Sequence, residues 1–181
     1  MLRGERVILR ARQESDIPVL HAELHDDVAT WSRADTRPWR PLTADSPASP
    51  YAASEPSDAV AAFSVVELTA DGSAGELAGE ALLWGIDQHN RVAHVGISLR
   101  PAFRGRGLGV DTVGVLCRYG FTVRGLHRLQ VDTLADNAAM IGAASRVGFV
   151  LEGTLRRSAW VGGAFADEVV LGLLATEWAA R

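Results

Sequence analysis

The stretch that decides the fold is Ser98 to Gly109, SLRPAFRGRGLG. A run of strand-forming residues, Val92 to Leu99 (VAHVGISL), leads into it, and Pro101 ends the pairing because proline has no N–H to donate. Beyond Arg104-Gly105-Arg106-Gly107-Leu108-Gly109, apolar residues recur at helical spacing from Leu108 to Val123. The segment reads as strand, glycine-rich turn, helix. Glycines let successive backbone N–H groups turn inward, and the helix N-terminus adds partial positive charge, so the turn suits a phosphate or pyrophosphate. Two nucleotide signatures fail in detail. No Lys-Ser/Thr follows these glycines, as a P-loop needs, and Gly105, Gly107 and Gly109 give GxGxG where a dinucleotide turn needs GxGxxG. A turn that holds nothing satisfies the same three residues and stays open as an alternative.

Upstream, Arg6–Arg10 (RVILR) reads as a strand, and Ser15 as the cap of a helix carrying Ile17, Leu20 and Leu24 at helical spacing. From Thr36 to Pro56 the composition shifts to Ser, Ala and Asp with five of the seven prolines, so 36–58 is expected to be a surface loop or lid. Ala62–Thr69, Leu77–Ile86 and Val92–Leu99 then read as an antiparallel meander. Downstream, a strand at His127–Leu134, a helix at Asn137–Val147 and two last strands about Gly162-Gly163 complete the order. The expected fold is α+β: a mixed, largely antiparallel sheet of about seven strands flanked by helices. At 181 residues, 48% apolar and 22% charged, residues 1–181 fit one globular domain.

A net charge of −4 gives no global positive field, so neither nucleic acid nor a membrane surface is an expected partner. The lone Cys117 forms no intrachain disulfide, no Cys/His spacing suggests a metal, and no apolar run of about 18 residues occurs. A cytoplasmic location is expected. Cys117 itself, among Val113 and Leu116, reads as a core residue.

Four blocks in order carry a resemblance: RVILRARQESD (residues 6–16), RGRGLG (104–109), DNAAMIGAASRVGFVLEG (136–153) and TLRRSAWVGGAFADEVVLGLLATEW (154–178). Together they resemble the GCN5-related N-acetyltransferases, in the branch of the ribosomal-protein N-terminal acetyltransferases. RGRGLG is similar to that family's [Q/R]xxGx[G/A] pyrophosphate signature. The resemblance implies a V-shaped cleft between two splayed parallel strands, the first carrying a bulge, with acetyl-CoA as acyl donor and no metal. It implies that Ile97, Ser98 and Leu99 offer backbone groups to the pantetheine, with N–H groups from Arg104, Gly105, Arg106, Gly107, Leu108 and Gly109 on the pyrophosphate. Asn137 matches the family asparagine near the reaction centre, although a helix N-cap is its plainer reading. A homodimer is the family expectation.

Acyl transfer from a thioester to a primary amine needs a proton acceptor, donors for the oxyanion and a proton for the leaving thiolate. His94, on the strand beside the thioester, is the first candidate base, since imidazole titrates near neutrality. Glu80, in the Gly79-Glu80 pair of the preceding strand, is its rival. The backbone of Ile97–Leu99 would hold the oxyanion. The tyrosine that many relatives place seven residues after the asparagine is Ala144 here, and the serine three residues after it is Met140, so the general acid is unassigned. Tyr119 is expected to pack against the sheet. His21, His25, His89 and His127 are expected at the surface. Trp31, Trp39 and Trp84 are candidates to line an acceptor pocket, or else to anchor the core and the loop. An N-acetyltransferase working by direct attack is the leading function. A coenzyme-A-binding module without turnover is one alternative. Transfer of an acidic acyl group such as succinyl, paired by Arg91, Arg156 or Arg157, is the other.

Overall fold

The structure is a computed structural model, and it describes residues 1–52 and 57–180; Pro56 of the proline-rich segment lies outside the described residues. The strands are β1 (Leu2–Arg3), β2 (Val7–Arg10), β3 (Val60–Leu68), β4 (Ala74–Asp87), β5 (Val92–Leu99), β6 (Arg128–Leu134), β7 (Val150–Val161) and β8 (Ala164–Leu174). They form one eight-stranded sheet in the order β1-β2-β3-β4-β5-β6-β8-β7. The sequence expected about seven; the extra strand, β1, is a two-residue pairing with β2 too short for any periodicity to announce. Every neighbouring pair is antiparallel except β5 and β6.

Helices α1 (Asp16–Leu20) and α2 (Val28–Ala34) flank a π turn at His21–His25. Helix α3 (Leu108–Arg118) continues as a second π turn to Val123, α4 covers Ala138–Val147, and a short α5 (Ala175–Ala179) closes the order. Ser15 makes no side-chain capping bond; instead the carboxylate of Asp16 accepts the Gln13 N–H at 2.8 Å, binds Arg10 and accepts the Ser64 hydroxyl. That side chain is buried, and its hydrogen bonds outweigh the cost of burial to hold its pKa down at about 2.

Strand alternation sorts the side chains onto two faces. Val7, Val65, Ala81, Leu83, Ala93, Val95, Leu129 and Val131 face α3 and α4, where Val113, Leu116, the buried Cys117, Ala144 and Val147 complete the main core. Burial raises the Cys117 thiol's pKa far above its ordinary value, so it is an inert packing residue. Tyr119 packs on this core, edge-on to Phe63 at 5.3 Å between ring centres, as expected. On the opposite face, Leu20, Leu24 and Tyr51 form a smaller cluster. Asp111, in the first turn of α3, accepts the backbone N–H groups of Glu5, Arg6 and Val7, which ties that helix to the turn before β2.

Candidate active site

Strands β5 and β6 pair over only three positions, Val92 with Arg128, Ala93 with Leu129 and His94 with Gln130. Beyond these, Val95–Leu99 stays on β4 and Val131–Leu134 stays on β8, so the two parallel strands part. This is the wedge the resemblance implied. The expected bulge is absent from its wall: β5 holds an unbroken register with β4 from His94 to Leu99, and the irregularity falls between Trp84 and Asp87. Close approach at the wall depends on Gly79, where a Cβ would stand 2.2 Å from the Ser98 carbonyl oxygen.

One wall of the wedge ends in the glycine-rich turn. Gly105 (φ +72°) and Gly107 (φ +81°) hold left-handed conformations that only glycine adopts without strain, and Gly107 is the N-cap of α3. A Cβ on Gly105 would meet nothing within 4 Å, and one on Gly107 only Arg6 at 3.8 Å, so the turn's outer surface is open. Arg106 is engaged elsewhere, bonded to Glu67 at 2.8 Å and lying over Phe103, while Arg104 donates its Nε–H to the Leu99 carbonyl. Arg6, Arg106 and Arg146 border an open depression of about 560 Å³ beside Gly107 and Val110. The other wall ends at Asn137. Its Oδ1 accepts the Met140 N–H at 3.2 Å and its Nδ2 donates to Thr133 Oγ1 at 2.9 Å, so it is the N-cap of α4. Ala144 is buried and Met140 packs on the core, so neither supplies a proton.

At the apex stands His94. Its ring stacks on Trp84 with centres 4.2 Å apart, and its Nδ1 lies 2.5 Å from Asp132 Oδ2 on β6. The bonds continue across the sheet. Gln130 Nε2 donates to Asp132 Oδ1 at 2.8 Å, Arg128 Nη2 donates to Gln130 Oε1 at 3.1 Å, and Arg128 Nη1 donates to Glu152 on β7 at 2.8 Å. Arginine is donor-only, so the Gln130 carbonyl must face Arg128 and its amide must face Asp132. Asp132 is then left to accept from His94 Nδ1–H, which puts the lone pair on Nε2. Burial raises the Asp132 carboxyl's pKa, but the bonds from His94 and Gln130 outweigh it and the net direction is downward. Gly85 lies beside the free edge of the ring; a Cβ there would approach Cδ2 to 3.2 Å and Nε2 to 3.8 Å, so its absence keeps Nε2 open.

Glu80 is placed differently. It pairs with Ser98 on β5, four residues along β4 from Trp84, the partner of His94; at about 3.3 Å per residue the two candidate bases stand ~13 Å apart along the strands. Its carboxylate is taken by Arg12 at 2.6 Å, and burial pushes its pKa up against that pull. The three tryptophans divide between two histidines: Trp84 stacks on His94, and Trp31 and Trp39 both pack on His25. Trp84 is 41% exposed on the His94 ring, whereas Trp31 donates to the Arg37 carbonyl and Trp39 to that of His25, anchoring the loop. His21 and His25 are not at the surface: both are buried beneath that loop, while His89 and His127 are exposed as expected. Arg91 donates to the Gly125 carbonyl, and Arg156 and Arg157 border an open depression of about 830 Å³ on the β7–β8 hairpin. Asp132 was missed from sequence. Its signal was the alternation in RLQVDTL, which sets Gln130 and Asp132 on the face of β6 away from Leu129 and Val131.

A parallel pair opening beyond three rungs, with a glycine turn on one wall and a capped helix on the other, defines the acyltransferase class of fold that the sequence resembled. Residues 6–150 match the acetyltransferase (GNAT) domain family, and the chain belongs to that family. It is 32% identical over 104 residues to the "Putative ribosomal N-acetyltransferase YdaF" of Bacillus subtilis, covering 58% of this chain and 57% of that one. Over 95 residues it is 30% identical to spermidine N(1)-acetyltransferase of Escherichia coli K12, covering 52% and 51%. The chain thus spans about half the length of the curated relatives it matches. The structure of spermidine N-acetyltransferase from Vibrio cholerae in complex with CoA and spermine superposes with a TM-score of 0.81 at 21% identity, over 97% of this chain and 99% of that one. Among the described residues, no helix is long and apolar enough to cross a membrane.

Proposed function

We propose that this protein transfers the acetyl group of acetyl-CoA to a primary amine by direct attack within a ternary complex. The observation that carries the reading is the wedge between β5 and β6 with the oriented His94 at its apex. In this reading the thioester lies along Val95–Leu99 with its pyrophosphate on the turn from Arg104 to Gly109, and backbone N–H groups of Ile97–Leu99 receive the oxyanion. The free Nε2 of His94 takes a proton from the ammonium group, and the neutral amine attacks the thioester carbon. As the C–S bond breaks, the second amine proton is available to the departing thiolate, which compensates for the apolar Ala144 and Met140. Cys117, the one thiol, is buried in the core, which supports direct attack over a covalent enzyme intermediate.

Of the acceptors that relatives' names suggest, we favour a protein α-amine over a polyamine. A polyamine needs unpaired carboxylates, and Glu80, Glu23, Asp35 and Glu152 are each bound to an arginine. The apolar residues at 140 and 144 favour a second reading, a coenzyme-A-binding module without turnover. Calorimetry with acetyl-CoA, followed by thiol release over a panel of free-α-amine peptides, polyamines and small amines, separates them. Binding with release confined to peptides is expected; binding with no release anywhere supports the module, and no binding overturns both.

We further propose that the chain acts as a single domain and as a homodimer joined through the β7–β8 edge. β7 is an edge strand exposed along most of its length, and Val150, Leu151, Leu155, Trp160 and Phe165 project into solvent, the last two packed edge-to-face at 4.9 Å. An exposed apolar edge of that kind suits burial against a second copy about a twofold axis.

A further inference from the structure

The π turn between α1 and α2 builds a cluster that the proposed acyl transfer does not use. In a regular α-helix residue i+5 lies about 140° around the axis from residue i, given 3.6 residues per turn. Here the Asp26 N–H bonds back to the His21 carbonyl at 3.0 Å, an i+5 closure, and this wider turn brings Asp26 onto the same side as His21 and His25. π turns of this sort recur at functional sites. Both imidazoles are buried, with ring centres 4.5 Å apart, and both aim Nδ1 at one oxygen of Asp26, from 3.3 Å for His21 and 3.4 Å for His25.

Those separations are long for hydrogen bonds, whose N···O distances centre near 2.9 Å. They do match the edge of a tetrahedron of ligands around Zn²⁺, which is about 3.3 Å when each ligand stands 2.0–2.1 Å from the metal. The three ligand atoms lie within 4.8 Å of one another. His21 Nε2 is buried with no hydrogen-bond partner among the described residues, so the ring's polar contact is through Nδ1, toward Asp26. Asp26 is 54% exposed at its side chain, which leaves solvent a route to the cluster and a fourth ligand position for water.

We propose that His21, His25 and Asp26 form a binding site for one borderline divalent cation of the Zn²⁺ or Co²⁺ class, through two imidazole nitrogens and one carboxylate. The site has a structural setting. His25 packs against Trp31 and Trp39 and its carbonyl accepts the Trp39 Nε1–H, so an ion here fastens the root of the 36–52 loop.

The test uses untagged, chelator-treated protein titrated with Zn²⁺ by calorimetry and with Co²⁺ by visible absorption. One ion per chain, an intense tetrahedral Co²⁺ band and a raised midpoint of thermal unfolding are expected. His25→Gln should weaken Zn²⁺ binding at least a hundredfold and Asp26→Asn at least tenfold, while His89→Gln, an exposed histidine elsewhere, should leave it unchanged. Should His25→Gln fail to fold by circular dichroism, the exposed and isosteric Asp26→Asn decides alone. No uptake by the unsubstituted protein, or uptake that Asp26→Asn leaves unaltered, overturns the proposal.

Discussion

Replacing Asp132 by asparagine tests the proposed chemistry with almost no change in shape. Gln130 presents its amide to position 132, because Arg128 has claimed its carbonyl. The new asparagine must therefore turn its own carbonyl toward Gln130 and its NH₂ toward His94. An NH₂ facing Nδ1 forces that nitrogen to accept, so the ring proton moves to Nε2 and the base is lost. A positioned general base contributes about 10²–10⁴ in rate. We expect kcat/KM to fall on the order of 300-fold, about 3.4 kcal/mol, in thiol release with any amine the unsubstituted enzyme turns over. Acetyl-CoA affinity by calorimetry should stay within twofold, since Asp132 bonds to His94 and Gln130 and to nothing in the glycine turn. Adding Gln130→Leu removes the competing donor, lets the asparagine carbonyl face His94 and should recover at least tenfold. Activity of Asp132→Asn within threefold of the starting enzyme refutes the assignment of His94 as an oriented base.

Three further outcomes are expected. Gly107→Ala, and more so Gly107→Val, place a Cβ at φ +81° in the turn and should weaken acetyl-CoA binding about a hundredfold, the loss of two charge-assisted hydrogen bonds at roughly 1.5 kcal/mol each; native affinity in a variant with a normal circular dichroism spectrum defeats the pyrophosphate assignment. Asp16→Asn should cost about 2 kcal/mol at pH 7 in urea unfolding, from a carboxyl lowered from 3.8 to about 2. Because that pKa is depressed, the stabilisation is whole above pH 4 and fades as pH falls toward 2, so the two proteins should converge in acid; a gap independent of pH speaks against it. Trp160→Glu should convert the proposed dimer to monomer in light scattering, and an unmoved mass rules out the β7–β8 interface.

The strand-turn-helix at 92–118 was legible in the sequence because each of its signals is local: alternation, a proline stop, glycines and helical spacing. The same holds for α4 and the last hairpin, whose turn falls at Gly162-Gly163. What was not legible depends on partners distant in the chain. Arg106 looks like a phosphate ligand in RGRGLG, yet Glu67 on β3 claims it. His94 found its orienting carboxylate 38 residues away on β6, and Glu80 lost its freedom to Arg12, 68 residues before it. His21 and His25, in PVLHAELHDD, show no partner in the local sequence and look solvated, but the aromatic loop folds over them, and local composition says nothing of what a loop covers. The π turns escape sequence reading because a single i+5 closure has no residue signature of its own.

The three-rung pairing of β5 with β6 also bears on how the sheet holds together. Five strands lie on one side of that seam and three on the other, and the backbone along Val95–Leu99 and Val131–Leu134 has no cross-seam ladder. A slender amide-bearing ligand seated there takes the position of a missing strand. It knits two half-sheets into one, so amide hydrogen exchange should slow on both banks of the seam when the ligand binds, as well as on the residues that touch it. On the proposed reading, an acyl-CoA lying in the wedge is in this sense a ninth strand, borrowed for as long as it stays bound.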